Sequence, residues 1–557
     1  MKKYKQLFFK SSVAMFATIV LSACNNGNSN GTNKSKDSKQ SATEQVFNLV
    51  VQQEMPTADL SLATNTISFT ALNNVYEGLY RLDEKSSPQP AGAQELAKVS
   101  EDGLTYQLKL REDAKWSNGD PVVAADYVYG WQRTVDPKTA AEYAYLFEVV
   151  KNGAEVTAGK MAPSELGIQA VGDHELEITL AKTTPYFDYL LAFPAFFPQN
   201  QATVEAYGKE YAQTSDKAIY NGPFTLTEYD GSGADTQWSY TKNDQYWDQA
   251  NVKLDKINVN VVKEAPTALN LFQDQQADDI ILSGELAQQM ANDPKLVIEK
   301  DARTVYLEFN QRKADSPYRN ANLRKAISTA IDREALVSNI LNDGSIVASG
   351  IIPEGMSFSP KDNQDFSKEN QSLLKYKKDQ ARSYWEKAKK ELNLTTFSVD
   401  IVADDTDSTK KIVEYIQSEL EKNLAGIKVT VSTVPFSVRL DRGNRGDFEM
   451  ILGGWGADYT DPSSFLDLFV TDNSYNRGRY SNRSYDKLVT AADSTDAADP
   501  EKRWQDMVAA EQILMEDMGI APIYQKAEAH LRSEKLKGVV THGAGARFDY
   551  KWTYISE

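Results

Sequence analysis

Few groups in this 557-residue chain could do chemistry, and the best placed is a carboxylate. Asp458 closes the stretch Gly453-Gly454-Trp455-Gly456-Ala457-Asp458. Glycines let a second backbone approach closely, and an indole offers a broad flat apolar surface. A short carboxylate beside that surface suits a cationic group on a ligand lying extended along the chain. The competing reading is a tight turn with a solvated Asp458, and the residues alone leave both open. Reactive chemistry has less support. The single cysteine, Cys24, sits near the N-terminus, and the three histidines are His174, His530 and His542. His174 falls in a turn, and the other two flank an expected surface strand and a glycine-rich loop. No G-x-S-x-G elbow, H-E-x-x-H helix or CxxC pair is present. Asp404-Asp405-Thr406-Asp407 invites a calcium reading but lacks the glycine and closing glutamate of an EF-hand loop, so an acidic loop is expected. With 79 acidic residues, no carboxylate pair of a glycosidase stands out. No metal and no cofactor is expected, and no catalytic residue is assigned.

The elements that must position Asp458 follow from periodicity. Phe448–Leu452 has the apolar character of a strand at least half buried, ending at the glycines. Asp461-Pro462 reads as the cap and first residue of a helix through Phe465, Leu466 and Leu468. Val46–Val51 is a strand, and 64–80 a loop followed by a helix. Leu104, Tyr106, Leu108 and Leu110 alternate as a half-buried strand, as do Leu176, Ile178 and Leu180. Helices are expected over 124–133, 321–342, 376–392, 410–424 and 501–518. Strands at 398–401 and 428–434 alternate with them. The last residues, 548–555, look strand-like. Mixed elements without a regular repeat point to α/β lobes, and the length calls for more than one core.

The formal charge of −18 argues against a nucleic-acid partner, which needs a basic face. Lys2, Lys3, Lys5 and Lys10 precede a short apolar run, and Leu21-Ser22-Ala23-Cys24 follows it. That tetrapeptide resembles a bacterial lipobox, which implies cleavage before Cys24, lipid on its sulfur and the outer face of the cell membrane. Residues 25–45 are almost devoid of apolar side chains and suit a flexible tether.

Six stretches, in order, resemble the extracellular peptide-binding subunits of oligopeptide ABC transporters (solute-binding protein family 5). They are Asn73–Leu79, Leu110–Gly119, Tyr127–Arg133, Asn221–Phe224, Leu323–Ile327 and Trp455–Tyr459. The resemblance implies a three-lobed α/β fold of the periplasmic-binding-protein type (cluster C, type II), with a ligand cleft between two major lobes. The expected organisation is signal peptide 1–23 and lipidated tether 24–45. The first lobe is built from 46–76, 201–303 and 525–557, the second from 77–200, and the third from 304–524. It further implies that Asp458 pairs with a peptide α-ammonium, and that Trp455, Gly456 and Ala457 offer backbone hydrogen bonds. Thr64, Asn65 and Thr66 would form the facing segment, Tyr143 a contact from the second lobe, and Arg442 a basic residue near the ligand's far end. Leu452 and Thr409 stand where some relatives carry further basic side chains, which loosens any limit on peptide length. The expected partners are an oligopeptide, permease and ATPase subunits of an ABC importer, and the membrane through Cys24; the expected state is a monomer. Rival readings are a receptor for one signalling peptide, a surface hydrolase, and an adhesin or chaperone-like surface protein.

Overall fold

The computed structural model describes residues 44–231, 235–370 and 374–557. Its frame is one large mixed sheet. The strands used below are β1 (Val46–Val51), β2 (Phe224–Thr227), β3 (Gln237–Lys242), β4 (Lys256–Val261) and β5 (Asp279–Leu282). They continue with β6 (Leu296–Phe309), β7 (Phe397–Asp404), β8 (Ile427–Val434), β9 (Met450–Gly456) and β10 (Ile520–Arg532). The spatial order is β8-β7-β9-β6-β10-β5-β1-β4-β3-β2, with the short strand Ile346–Val347 also on β10. The pairs β1/β4 and β7/β8 are parallel, and β4 and β8 alternate apolar with polar side chains along their length.

Two long strands join the two halves of this sheet. The first part of β6 pairs with the last part of β10 (Leu296 opposite Leu531), where β10 also meets β5. The last part of β6 pairs with the start of β10 (Glu308 opposite Ile520) and, on its other side, with β9. Between them the register shifts from Lys300 to Thr304. The irregular segment Asp301-Ala302-Arg303 thus marks the passage from one half to the other. A separate four-stranded sheet has Thr105–Lys109 and Glu175–Thr179 at its centre, and their alternating burial matches the alternation in sequence. The fold is the type II periplasmic-binding arrangement expected.

Three local expectations need correction. The strand at Met450 does not stop at the glycines; pairing with β6 carries it through to Gly456. The helix expected over 321–342 is broken into Ala321–Thr329, Arg333–Ala335 and a π-turn at Leu336–Leu341. Asp332 restarts it by accepting from Ala335 N–H at 3.1 Å, and the buried Arg333 spends its fork on the carbonyls of Pro522 and Ser328. The C-terminal run supplies only two-residue strands at Phe548–Asp549 and Tyr554–Ile555. Cys24 and the tether lie outside the described residues, apart from the last two tether positions, Glu44 and Gln45.

Candidate functional site

Strand β9 is anchored by Met450, Ile451 and Leu452 in the core and pairs with β6 along its whole length. Its other edge meets β7 only at Met450 and Ile451. Strand β7 stays paired with β8 to its end, where Asp404 accepts from Arg439 Nε (2.6 Å) and Gln53 Nε2 (2.9 Å). Thr406 then caps helix α2 (Asp407–Asn423). The four-residue run expected as an acidic loop instead spans a strand end at Asp404 and a helix start at Asp407. The edge of β9 from Leu452 to Gly456 is left without a neighbouring strand, and it lines a cavity of about 2090 Å³, mouth included. Glycine suits position 454, where a Cβ would stand a tight 3.0 Å from the Thr304 carbonyl.

Trp455 forms the aromatic end of that edge. Its indole lies parallel to the Tyr143 ring at 6.0 Å and edge-on to Tyr475 at 4.7 Å. The Tyr143 ring packs in turn on Phe69 and Phe193. Asp458 follows and is only 6% exposed. One carboxyl oxygen accepts from the Tyr143 hydroxyl at 3.0 Å, and the Asp458 N–H donates to Ser464 Oγ at 2.9 Å. The other oxygen, Oδ2, is buried and takes no donor. Burial pushes this carboxyl up to about 8, against the pull of the Tyr143 hydrogen bond and the Arg303 charge. Asp458 is thus a buried carboxylate held from one side only.

The facing segment is Thr64-Asn65-Thr66. Asn65 is committed as the cap of α1 (Thr66–Val75), accepting from Ser68 N–H at 2.9 Å, and Thr66 Oγ1 accepts from Arg303. The cavity lining brings together Thr64, Asn65, Thr66, Tyr143, Trp455, Gly456, Ala457 and Asp458. Ala457 offers less than expected. Its N–H donates to the Ala302 carbonyl and its own carbonyl accepts from Gly545 N–H. Arg442 is not in the lining; it sits near the end of helix α3 (Phe436–Arg445) and donates to the Asp447 carbonyl at 3.0 Å. Arg303, Arg477, Lys526 and Arg547 are the arginines and lysines that line the cavity.

The wall formed by β5, β6 and β10 was not foreseen. His530, expected on the surface, is 3% exposed and lies 2.7 Å from Asp279 and 3.4 Å from Glu528. Burial pulls the imidazolium down, but these two carboxylates outweigh it and raise it to about 9. Arg547 reaches Asp301 at 2.9 Å, and Arg532 reaches Asp279 at 2.7 Å. His542 is buried as well. Among the described residues there is no cluster of three or more histidine, cysteine or carboxylate groups suited to a metal.

Contacts across the cleft are many. Besides Tyr143 on Asp458, Tyr186 stacks on Tyr459 at 4.2 Å and Lys182 meets Asp493 at 3.2 Å. A strand edge, a buried half-satisfied carboxylate and two facing walls define a receptor for an extended solute. The family model for bacterial extracellular solute-binding proteins, family 5, matches residues 87–477, and the chain belongs to that family. Its members bind solutes and are not enzymes.

The chain is 36% identical to the dipeptide-binding protein of Lactococcus lactis subsp. cremoris (strain MG1363), over 99% of this chain and 100% of that protein. Its structure resembles that of Listeria monocytogenes OppA bound to peptide (TM-score 0.89, 44% identity, 93% of this chain, 100% of that one). It also resembles the pheromone receptor PrgZ (TM-score 0.89, 42% identity, 92% of this chain, 100% of that one).

Proposed function

We propose that this protein captures extended oligopeptides outside the cell and delivers them to the permease of an ABC importer. The observation that carries the reading is Asp458 Oδ2, buried without a donor at the end of an unpaired strand edge. A peptide supplies what both features lack. Its backbone adds to the edge of β9 whatever its sequence, and its α-ammonium completes the Asp458 carboxylate. Similarity to a peptide-bound OppA and to a dipeptide-binding protein supports the same ligand class. The lobe limits given above belong to this proposal, with β6 and β10 as the hinge strands. Closure by rotation about them would mark the loaded state for the permease. Lipid on Cys24 would hold a monomeric receptor at the outer membrane face; Cys24→Ala should then release it into the medium.

The test is direct. Mass spectrometry of ligand co-purified with the protein should return peptides. Unrelated tetrapeptides should then raise the melting temperature and be recovered intact. Hydrolysis of the peptides, or no stabilisation by any of them, would end the proposal. A second reading is favoured by the likeness to PrgZ: a receptor dedicated to one signalling peptide. Competition by unrelated peptides separates the two. The strand edge gives a further expectation. A Cβ at Gly453 would meet only Arg439 Nη1, at 3.4 Å, so Gly453→Val should fold with little loss of stability. Gly453 lines the cavity, so the added methyls narrow the space beside the ligand backbone. Peptide affinity should fall by roughly 1–3 kcal/mol, the usual cost of overpacking, which titration calorimetry reads directly.

A further inference from the structure

The acidic run at 404–407 has a partner on the other side of the cleft. Asp405 accepts from Lys263 Nζ with both oxygens, at 2.9 and 3.0 Å. Asp404 accepts from Gln53 Nε2 at 2.9 Å, and the Asp407 N–H donates to the Lys263 carbonyl at 3.4 Å. Gln53 and Lys263 belong to one structural unit. Val51 stands opposite Val261 in the parallel pair β1/β4, and the Val262 N–H donates to the Val51 carbonyl, so both residues leave the sheet together.

The place of these contacts in the sheet matters. Strand β7, which ends at Asp404, and the pair β1/β4 lie on opposite flanks of β6 and β10. Rotation about β6 and β10 therefore changes the gap between Asp405 and Lys263. Gln53, Asp404 and Thr406 line the cavity, whereas Lys263 and Asp405 stand just outside that lining. The ion pair thus spans the two lobes at the cavity rim, where a ligand in the cavity does not reach it.

Lys263 is also held from its own side. Glu54, 8% exposed, meets Nζ at 2.8 Å with one oxygen, and its other oxygen is buried without a donor. Burial pulls the ammonium down, but its hydrogen bonds to Asp405 and Glu54 outweigh that and raise it above its usual value. Lys263 is therefore a fixed positive charge that Glu54 keeps aimed when the lobes part. Asp405 and Lys263 are both half-buried, so their attraction is moderate. A moderate bond suits a receptor that must open again to hand over its ligand.

We infer that Lys263 and Asp405 form a latch between the first and third lobes, positioning residues that set how long a captured peptide stays without touching it. This rests on the closure reading above.

Stopped-flow displacement of a tetrapeptide carrying a dansyl group on a lysine side chain tests it. Asp405→Asn keeps the shape and removes the charge. Release should become roughly three- to tenfold faster than from wild type, with association unchanged within about twofold. Lys263→Met should speed release alike, and the double variant should be no faster than the quicker single, since all three lose one contact. In about 1 M NaCl the difference between wild type and Asp405→Asn should shrink. The ligand-free melting temperature of Asp405→Asn should match wild type, because an open form has no pair to lose. Wild-type release rates in both single variants, or effects that add in the double variant, overturn the inference. So does a lowered ligand-free melting temperature in Asp405→Asn, which would make the pair structural. If the probe binds wild type and leaves the variants at the same rate, only the latch falls; if no peptide binds wild type, the peptide reading falls with it.

Discussion

Replacing Asp458 by Asn should weaken binding of a peptide with a free amino terminus by roughly 2–5 kcal/mol, the usual cost of losing one partner of a buried charge pair. The same change should stabilise the ligand-free protein at pH 8. Both effects come from one carboxyl group. In the folded chain burial raises it to about 8, whereas in the unfolded chain it titrates near 4. A raised carboxyl gives stability that is complete below about pH 4 and is lost as pH climbs towards 8, because the folded state must then hold a buried anion. The amide introduced by Asp458→Asn never ionises and escapes that loss. Its stability advantage at pH 8 is expected at about 1–3 kcal/mol, limited by the polar atom that stays unpaired. Thermal unfolding at pH 5 and pH 8, with and without peptide, checks both effects. A variant that binds peptide as wild type does, or is less stable than wild type at pH 8, would remove Asp458 from the site.

Opposite signs for binding and stability are what distinguish a ligand-binding carboxylate from a structural one. Asp461, three residues on, is the contrast. It is half-buried, and Arg503 grips it with two nitrogens at 2.7 Å. That pair holds its carboxyl below the usual range despite the burial. Asp461→Asn should therefore cost stability at neutral pH. The two aspartates share a segment and differ in whether the protein supplies the counter-ion.

The chemistry around Asp458 was legible in the sequence because it is local: indole, glycine, small residue and carboxylate follow one another. That Asp458 is buried and that Oδ2 lacks a donor was not legible, since both depend on Tyr143 arriving from 315 positions away. Strand β9 shows the same division. Its apolar start was plain, but glycines carry no strand signal, and only pairing with β6 keeps 453–456 extended. The charged wall was half visible. Lys526, Glu528, His530 and Arg532 alternate with Ala527, Ala529 and Leu531, so one polar face was evident. Solvent was the natural occupant of that face. The structure covers it instead with Asp279, Asp301 and Arg547, which come from distant segments and neutralise it. Arg442 fails for a related reason: helix α3 turns it towards the Asp447 carbonyl, and the cavity takes Arg477 from a loop that has no periodicity to interpret.

Peptide affinity should rise by roughly two orders of magnitude between pH 5 and pH 8 and decline above that, a bell with its maximum near 8. Two proton equilibria set the shape. Below pH 8 the ligand-free Asp458 is mostly protonated, while the peptide amine, with a pKa of about 7.7–8.0, is already an ammonium. Forming the ion pair expels the carboxyl proton, so the binding constant gains close to tenfold per pH unit. Above pH 8 the carboxylate is already ionised, and the amine must instead take up a proton, which reverses the slope. At pH 7 binding should release nearly one proton, measurable by calorimetry in buffers of different ionisation enthalpy. An N-acetylated peptide has no ammonium to offer, and Asp458→Asn has no proton to lose, so each should give a weak, nearly flat profile. Protonation of His530 does not intrude, because its flanking carboxylates keep it charged until about pH 9. Equal affinity at pH 5 and pH 8 for a free-amine peptide would mean that no ion pair forms at Asp458. The strand edge of β9 would then have to hold the ligand alone.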